Sequence, residues 1–443
     1  MQVSRRRDFL KQSATGLAGL ATMHYGTTSA RAFNANERVR VGLIGCGGQG
    51  SNLGGFFSGL KQHVDLVAVC DPDTSHLEKA KNTFGATQAV SDFRKLLDDT
   101  TIDAVIVATP DHWHAPAAIM ACDAGKHVYV EKPCSHNLRE GRLLVEAADR
   151  NKVVVQHGTQ SRSNPLFVDA IQMLREGIIG EVLMARAWNV QRRGNIGHKQ
   201  PSAVPPGVDY EQWVGPAEML PYQENRFHYN WHWWFNFGTG DTGNDGAHEL
   251  DIARWGLGVE THPTRIVALG GKYFQDDDQQ FPDTQTAIFE YPGNGKVGQQ
   301  KQLIWEMRLW STNYPYNVDS GVEFHGTTGK LFVSKRGKLE LLNERNEKVG
   351  DPKPKQTATN QVASHQLDFV DAIKNGRQPN AAIAIGHLSA SLCHLANVAT
   401  RAGGAIQLDP ATEKIVGNDA ASKLLSRVYR SEGHWAIPQG VTS

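Results

Sequence analysis

From about residue 38 the chain sets short apolar, largely β-branched runs between longer stretches in which apolar positions recur every three or four residues. The first pattern reads as strands at residues 39–44, 66–70, 104–108, 127–130 and 153–156. The second reads as helices starting at Gly50 and covering 75–84, 93–97, 115–124 and 138–150. Successive βαβ units of this kind predict a doubly wound parallel sheet covered on both faces, with ligands at the carboxyl ends of its strands. From Glu181 the texture changes to alternating strands at 182–188, 265–270, 284–291, 301–309 and 321–333, which predict an antiparallel, largely one-sided sheet. Amphipathic helices over 364–375 and 386–401 finish the core, and 201–207 and 343–359 read as surface loops. The division that follows is a parallel-sheet α/β domain over 33–156 and a second α+β domain over 157–443.

The first strand runs straight into Gly45-Cys-Gly-Gly-Gln-Gly50. Gly45 permits the tight turn, Gly47 lets backbone approach a pyrophosphate, and Gly50 lets the next helix pack on the sheet with its N-terminal N–H groups toward the phosphates. Gly48 and Gln49 lie in the same turn. Asp71 closes the next apolar run and is placed to accept hydrogen bonds from the adenosine ribose. Its carboxylate would repel a 2′-phosphate, so NAD is favoured over NADP, and Asp73 adds a second negative charge nearby.

The residues before this domain change the picture. Ser4-Arg5-Arg6-Arg7-Asp8-Phe9-Leu10-Lys11, a mildly apolar Ala/Gly/Thr-rich stretch and Ala30-Arg31-Ala32 read as a twin-arginine export signal over 1–32. The apolar part is too short and too polar to span a bilayer. The alternative is a basic tail on a cytoplasmic enzyme. Export through the twin-arginine machinery would carry a folded, cofactor-loaded protein to the periplasm, where a reaction must return its cofactor to the starting redox state in place. The formal charge of the whole chain is 0, and losing residues 1–32 leaves about −4, which disfavours a nucleic-acid partner. The five cysteines show no paired spacing and read as buried thiols.

Further motifs follow: Ala108-Thr-Pro-Asp-His-Trp-His114, Ala124-Gly-Lys-His-Val128, Glu131-Lys132-Pro133, and a Gly-rich stretch ending His248-Glu-Leu-Asp251-Ile-Ala-Arg-Trp. Together with the glycine turn they resemble the Gfo/Idh/MocA oxidoreductases, the glucose-fructose oxidoreductase and inositol dehydrogenase superfamily, over nearly the whole mature chain. The resemblance implies a Rossmann domain followed by an open, mostly antiparallel sheet of about eight or nine strands that carries substrate and often an oligomer contact. It also places Thr109, Pro110 and His114 beside the cofactor, with Trp113 able to pack on it.

Lys132 follows the strand at 127–130, at the carboxyl edge of the parallel sheet where a nicotinamide should lie. A cation there can hydrogen-bond the alcohol being oxidised and stabilise the developing alkoxide. Pro133 fixes the turn, and Glu131 is placed to hold or tune the lysine. His248 is the candidate acceptor of the hydroxyl proton, with Asp251 to orient it. The i, i+3, i+4 rule puts Asn244 or Asp245 on the same helical face. The family usually has Asp where this chain has Asn244. An amide is no general base, so Asn244 is read as a substrate hydrogen-bonder beside Asp245.

Gln160 and Arg162 face the same crevice in this reading, and Gln191-Arg192-Arg193 can add contacts from the second domain. The run Tyr229-Asn-Trp231-His-Trp-Trp234-Phe offers rings on which a sugar can stack, Trp231 among them, or else a core or oligomer contact. No metal site is expected: His112 and His114 lack partner ligands, and His248 has no second histidine at i+4. The chain therefore reads as an NAD-dependent oxidoreductase acting on a hydroxyl of a sugar, sugar derivative or cyclitol, in a homo-oligomer. Two alternatives stand beside it. One is a glycoside hydrolase or lyase that oxidises the ring transiently, and the other is a sugar-binding relative without chemistry.

Overall fold

The computed structural model describes residues 37–293, 299–350, 352 and 361–441. The expected export signal lies outside them. The first layer runs β1 (Val39–Ile44), α1 (Gly48–Gly59), β2 (Val64–Cys70), α2 (Thr74–Phe84), β3 (Gln88–Val90) and α3 (Arg94–Asp98). It continues through β4 (Ala104–Val107), α4 (Asp111–Asp123), β5 (His127–Val130), α5 (Leu138–Asn151) and β6 (Val155–His157). Its sheet has six strands in the order β3-β2-β1-β4-β5-β6, paired in parallel. The strand order reverses between β1 and β4, so a crevice opens at their carboxyl ends, where such sheets bind ligands. Every residue of β4 and β5 is buried, which is why both read as unbroken apolar runs.

Helix α4 departs from expectation by starting at Asp111 rather than Ala115. Pro110 stands at its N-cap, and Pro116 sits inside the helix without an N–H to donate. The carbonyl that Pro116 leaves free, that of His112, accepts from Arg427 Nη2 at 2.8 Å instead. A long-range partner that local sequence does not show thus makes this proline tolerable.

The second layer comprises α6 (Pro165–Arg175), β7 (Val182–Asn189), α7 (Tyr210–Val214), α8 (Gly240–Asn244), α9 (Gly246–Leu257), β8 (Arg265–Gly271), β9 (Thr284–Tyr291) and β10 (Lys301–Arg308). After these come β11 (Ser320–Gly326), β12 (Lys330–Ser334), β13 (Lys338–Leu342) and β14 (Lys348–Gly350). The chain ends with α10 (Gln361–Asn375), α11 (Ile383–Arg401), β15 (Ala405–Asp409), β16 (Lys414–Ile415) and α12 (Asp419–Lys423). The ten strands lie in the order β14-β13-β12-β11-β7-β10-β9-β8-β15-β16, antiparallel apart from β10 against β7. The stretch 321–333, expected as one strand, is the hairpin β11–β12. Gly326 N–H donates to Gly329 O there at 2.9 Å, and a Cβ at Gly326 would lie 2.0 Å from Ile179 O. Strand β14 falls inside the stretch read as a loop.

One face of this sheet is buried beneath α9 and α11, with Phe289, Trp305, Phe324, Leu250 and Leu395 in one core. The other face is open, and β8 alternates accordingly: Ile266 and Ala268 are buried while Leu269 is 74% exposed. Helix α10 turns back to the first layer, where Phe369 stands edge-on to Phe57 and Tyr129 at 6.2 and 5.9 Å. All five cysteines are buried free thiols, as the spacing suggested.

Candidate active site

The turn between β1 and α1 is built by close approach. Gly45 has φ +90, and a Cβ there would lie 2.7 Å from the Ala108 carbonyl. At Gly50 a Cβ would stand 1.9 Å from Gly45 O, so this glycine seats the helix under the turn and does not line the cleft. Helix α1 begins with Gly47 at its N-cap, with no side chain capping it and no acid in its first turn. Around Gly48 a Cβ would meet nothing within 4 Å. The first N–H groups of α1 are thus left for an anion in the cleft. This cleft, of about 710 Å³, is lined by Gly45, Gly47, Gly48, Gln49, Asp71, Thr109, Pro110 and His114 among others. Thr109 Oγ1 is buried without a protein partner. A bare helix N-terminus, a buried acid at the end of β2 and an orphan hydroxyl fit a dinucleotide.

Asp71 is more engaged than expected. Its carboxylate already accepts from Cys46 N–H at 2.7 Å and Asp73 N–H at 2.8 Å while bordering the cleft. Burial raises its pKa, and these two hydrogen bonds pull the other way. Asp73, read as a second charge toward the ribose, instead caps α2, taking Ser75 N–H at 2.8 Å. His114 and Trp113 border the cleft from the first turn of α4. His114 is pinned between the carbonyls of Pro133 at 2.6 Å and Thr109 at 2.8 Å. Burial lowers its pKa to about 4, while the two carbonyls pull the other way. His112 is a packed histidine on Trp213 O, at 2.9 Å.

Lys132 stands where β5 ends, ahead of a cis Lys132–Pro133 bond. Its Nζ donates to Asn244 O at 2.7 Å and Asn244 Oδ1 at 3.0 Å. Asn244 Nδ2 in turn donates to Asp241 Oδ1 at 3.1 Å. Asn244 is therefore a holder of the lysine rather than a free substrate hydrogen-bonder. Glu131 does not pair with the ammonium group. Its Oε2 accepts the Lys132 backbone N–H at 3.1 Å, and Oε1 accepts Gln49 at 3.0 Å and Gln160 at 3.3 Å. Burial raises the Glu131 carboxyl, and Lys132 opposes that.

His248 borders both this cleft and an adjoining cavity of about 500 Å³ that opens toward the second sheet. Gln160, Tyr229, Asn244 and Asp245 are likewise shared by the two, so dinucleotide and substrate compartments are continuous. Burial first, then the charges of Lys335 and Lys132, holds the His248 imidazole far below its usual range and therefore neutral. Asp251 does not orient it. That carboxylate is fully buried and takes Arg162 at 2.8–3.0 Å and Ser389 Oγ at 2.5 Å. Arg162 is correspondingly an internal ion-pair partner and lines neither cavity. Of the helical face expected for Asn244, His248 and Asp251, the first two do border the same cavities, whereas Asp251, three residues beyond His248 within α9, turns to Arg162 and Ser389.

Asp245 reaches the substrate compartment paired with Arg193 and, at 3.3 Å, Lys335. Although burial raises its pKa, Lys335 and Arg193 hold the carboxyl well below the usual range. Lys335 also pairs with Glu249 at 3.1 Å, and Arg193 with Asp241 at 2.9 Å. These alternating charges form a continuous floor beneath the cavity. Within Gln191-Arg192-Arg193, Gln191 and Arg193 line it and Arg192 is exposed outside. No sequence signal marked Lys335, which arrives from the end of β12. Asp111 was also missed: it borders the cleft, accepts from Thr239 Oγ1 at 2.5 Å, and burial pushes its carboxyl up to about 7. The aromatic run divides. Trp233 and Trp234 are core, whereas Trp231 borders the cleft with its ring stacked on His232 at 3.6 Å.

Residues 39–159 match the sequence model described as an oxidoreductase family with an NAD-binding Rossmann fold, and 183–437 match its C-terminal alpha/beta domain. The NAD(+)-dependent scyllo-inositol 2-dehydrogenase of Bacillus subtilis is 25% identical over 352 residues, 77% of this chain and 88% of that protein. A glycosyl hydrolase family 109 protein of Shewanella pealeana is 32% identical over 212 residues, 41% of this chain. That match spans 45% of the relative, so the chain matches less than half its length. The WlbA dehydrogenase of Bordetella pertussis, solved with NADH and UDP-GlcNAcA, shares the fold with a TM-score of 0.65 and 19% identity, over 84% of this chain and 99% of that one.

Proposed function

The chain belongs to the Gfo/Idh/MocA oxidoreductase family and binds NAD, and from that premise we propose that it oxidises a hydroxyl of a sugar, sugar derivative or cyclitol with a tightly held cofactor. One observation carries the reading. Lys132 Nζ is fixed by two oxygens of Asn244 at the seam where the dinucleotide cleft meets the second cavity, and His248 borders both. Bound NAD supplies the acceptor for the hydride. An ammonium group has three donors, so the two bonds to Asn244 leave Lys132 one N–H for the substrate oxygen as charge develops on it. Neutral His248 takes the hydroxyl proton. Trp231 and Tyr229 offer ring faces to the C–H side of a sugar. The floor of Arg193, Asp245 and Lys335 holds Asp245 ionised as a hydroxyl acceptor.

The twin-arginine reading of residues 1–32 supports a periplasmic enzyme, and the exposed Leu269 on the open sheet supports a homo-oligomer. The glycosyl hydrolase relative favours a second reading, in which the ring is oxidised, cleaved by elimination and reduced again with no net redox change. The test is a substrate screen on protein with its native cofactor. Appearance of reduced nicotinamide on adding a sugar supports net oxidation, and cleavage of a nitrophenyl glycoside at constant cofactor absorbance supports the second reading. Lys132→Met should lower turnover on any active substrate by about a hundredfold or more while the dinucleotide stays bound. Unchanged turnover rejects the role of Lys132, and retained sugar affinity without either reaction in the wild type leaves a binding protein.

A further inference from the structure

At the far end of the cleft from Lys132, three side chains converge, two of which, His76 and His228, border the cleft itself. Asp73 caps α2, and Ser75 donates both N–H (2.8 Å) and Oγ–H (2.6 Å) to the same oxygen, Oδ1. The carboxylate is thereby oriented with Oδ2 free to face His228 Nε2 at 3.1 Å. His76 lies in the first turn of that helix, and its ring sits 4.6 Å from that of His228, tilted by 44°. One donor atom from each of the three lies within 4.8 Å of the others. His228 holds φ +43, in the left-handed region.

We propose that Asp73, His76 and His228 form a binding site for one divalent transition-metal ion, zinc by the chemistry of the set. Two imidazoles and one carboxylate are a three-ligand set of the kind that leaves a fourth position for water. Tetrahedral bonds of about 2.0 Å put ligand atoms roughly 3.3 Å apart, and the Asp73–His228 edge already has that length. The remaining closure falls to His76 and His228, whose side chains are 31% and 44% exposed and free to move. The hydrogen bonds from Ser75 are the outer-shell support a ligating carboxylate requires. Asp71, whose Oδ2 is 3.8 Å from His76 Nδ1, brings a second carboxylate and so a local field that attracts a cation.

A second cluster, His262, His387 and Glu413, has the same composition and serves as the contrast. There Arg142 donates to the very carboxylate oxygen on which both histidines converge, so a cation already fills the centre. Among the described residues no guanidinium or ammonium group is bonded to Asp73. The ion would also join the two halves of the fold. Asp73 and His76 belong to the first layer and His228 to the second, beside the backbone bonds Thr74 N–H to Gly207 O and Asp209 N–H to Pro72 O. It would clasp the cleft at the end where Asp71 awaits the adenosine.

The site is independent of the redox reading, and its test needs no substrate. Untagged full-length protein, stripped with a chelator, is titrated with cobalt(II) and followed by visible absorption. One equivalent should bind with the intense bands of a low-coordinate imidazole site, zinc should displace it, and His262→Ala should bind as the wild type does. His76→Ala and His228→Ala should each weaken cobalt binding at least tenfold while circular dichroism stays unchanged. His76 is 31% exposed, so its variant tests the site even where His228→Ala fails to fold. Wild type without these bands, a His76→Ala variant that binds cobalt normally, or a site that takes inorganic phosphate in place of cobalt would each overturn the proposal.

Discussion

Replacing Arg162 by methionine separates the role the sequence suggested from the one the structure shows. The guanidinium is 6% exposed and places three contacts of 2.8–3.0 Å on an Asp251 carboxylate that is fully buried. Methionine keeps much of the volume and removes the charge, leaving Asp251 with Ser389 as its remaining hydrogen-bond donor. Stranding one member of a buried pair costs about 3–5 kcal/mol, because the surviving charge keeps its desolvation penalty and loses its compensation. In a domain of this size that is a fall in the thermal midpoint on the order of 10 °C. The companion double variant Arg162→Met/Asp251→Leu removes both charges and should recover most of the loss, since apolar replacement of an entire pair is close to neutral. The assay is thermal unfolding with NAD content measured alongside. A single variant that melts like the wild type but loses sugar affinity would refute the structural role and restore Arg162 to the substrate.

Other expectations follow from the cleft. Asp111, with a carboxyl near 7 in the fold against about 4 unfolded, favours its protonated form when folded. Its contribution to stability is full below about pH 4 and is lost as pH rises through about 7, up to ~4 kcal/mol by linkage. Asp111→Asn should therefore flatten the stability profile over that window and be the more stable protein at pH 8, and unchanged profiles would contradict the assignment. Gly50→Ala puts a methyl group 1.9 Å from Gly45 O and should abolish dinucleotide binding while helix content by circular dichroism persists. Full NAD content in that variant would show that the turn can yield.

Much of the first layer was legible because its strands are buried on both faces and its turn residues carry one backbone requirement each. Val39–Ile44 and His127–Val130 were read to the residue. Three-residue β3 gave too few positions to show a period, and α4 looked like a loop through Asp-His-Trp-His because the partner of the His112 carbonyl lies 315 residues away. In the site, the residues whose task is set by local sequence, such as Gly45 and Lys132, were found. Those whose task is set by a distant partner were not. Arg162 was read as facing the crevice and Asp251 as orienting His248, whereas they face one another, and Lys335 carries no motif at all. The helical rule held for Asn244 and His248, which border the same cavities, and failed at Asp251, which a buried arginine claims.

Helix α10 has a consequence for the order in which the chain can mature. Phe369, Val370 and Ile373 cover Phe57 and Tyr129 in the same core as β1. Those aromatic rings leave the ribosome well before their cover does, Phe57 by 312 residues and Tyr129 by 240 relative to Phe369. During synthesis the nascent dinucleotide lobe must therefore wait with an oily flank bare, which is the condition under which chaperones are recruited and aggregation competes. A fragment that stops after β6 would keep that flank for good, so a shortened chain carrying the whole glycine turn should come out insoluble.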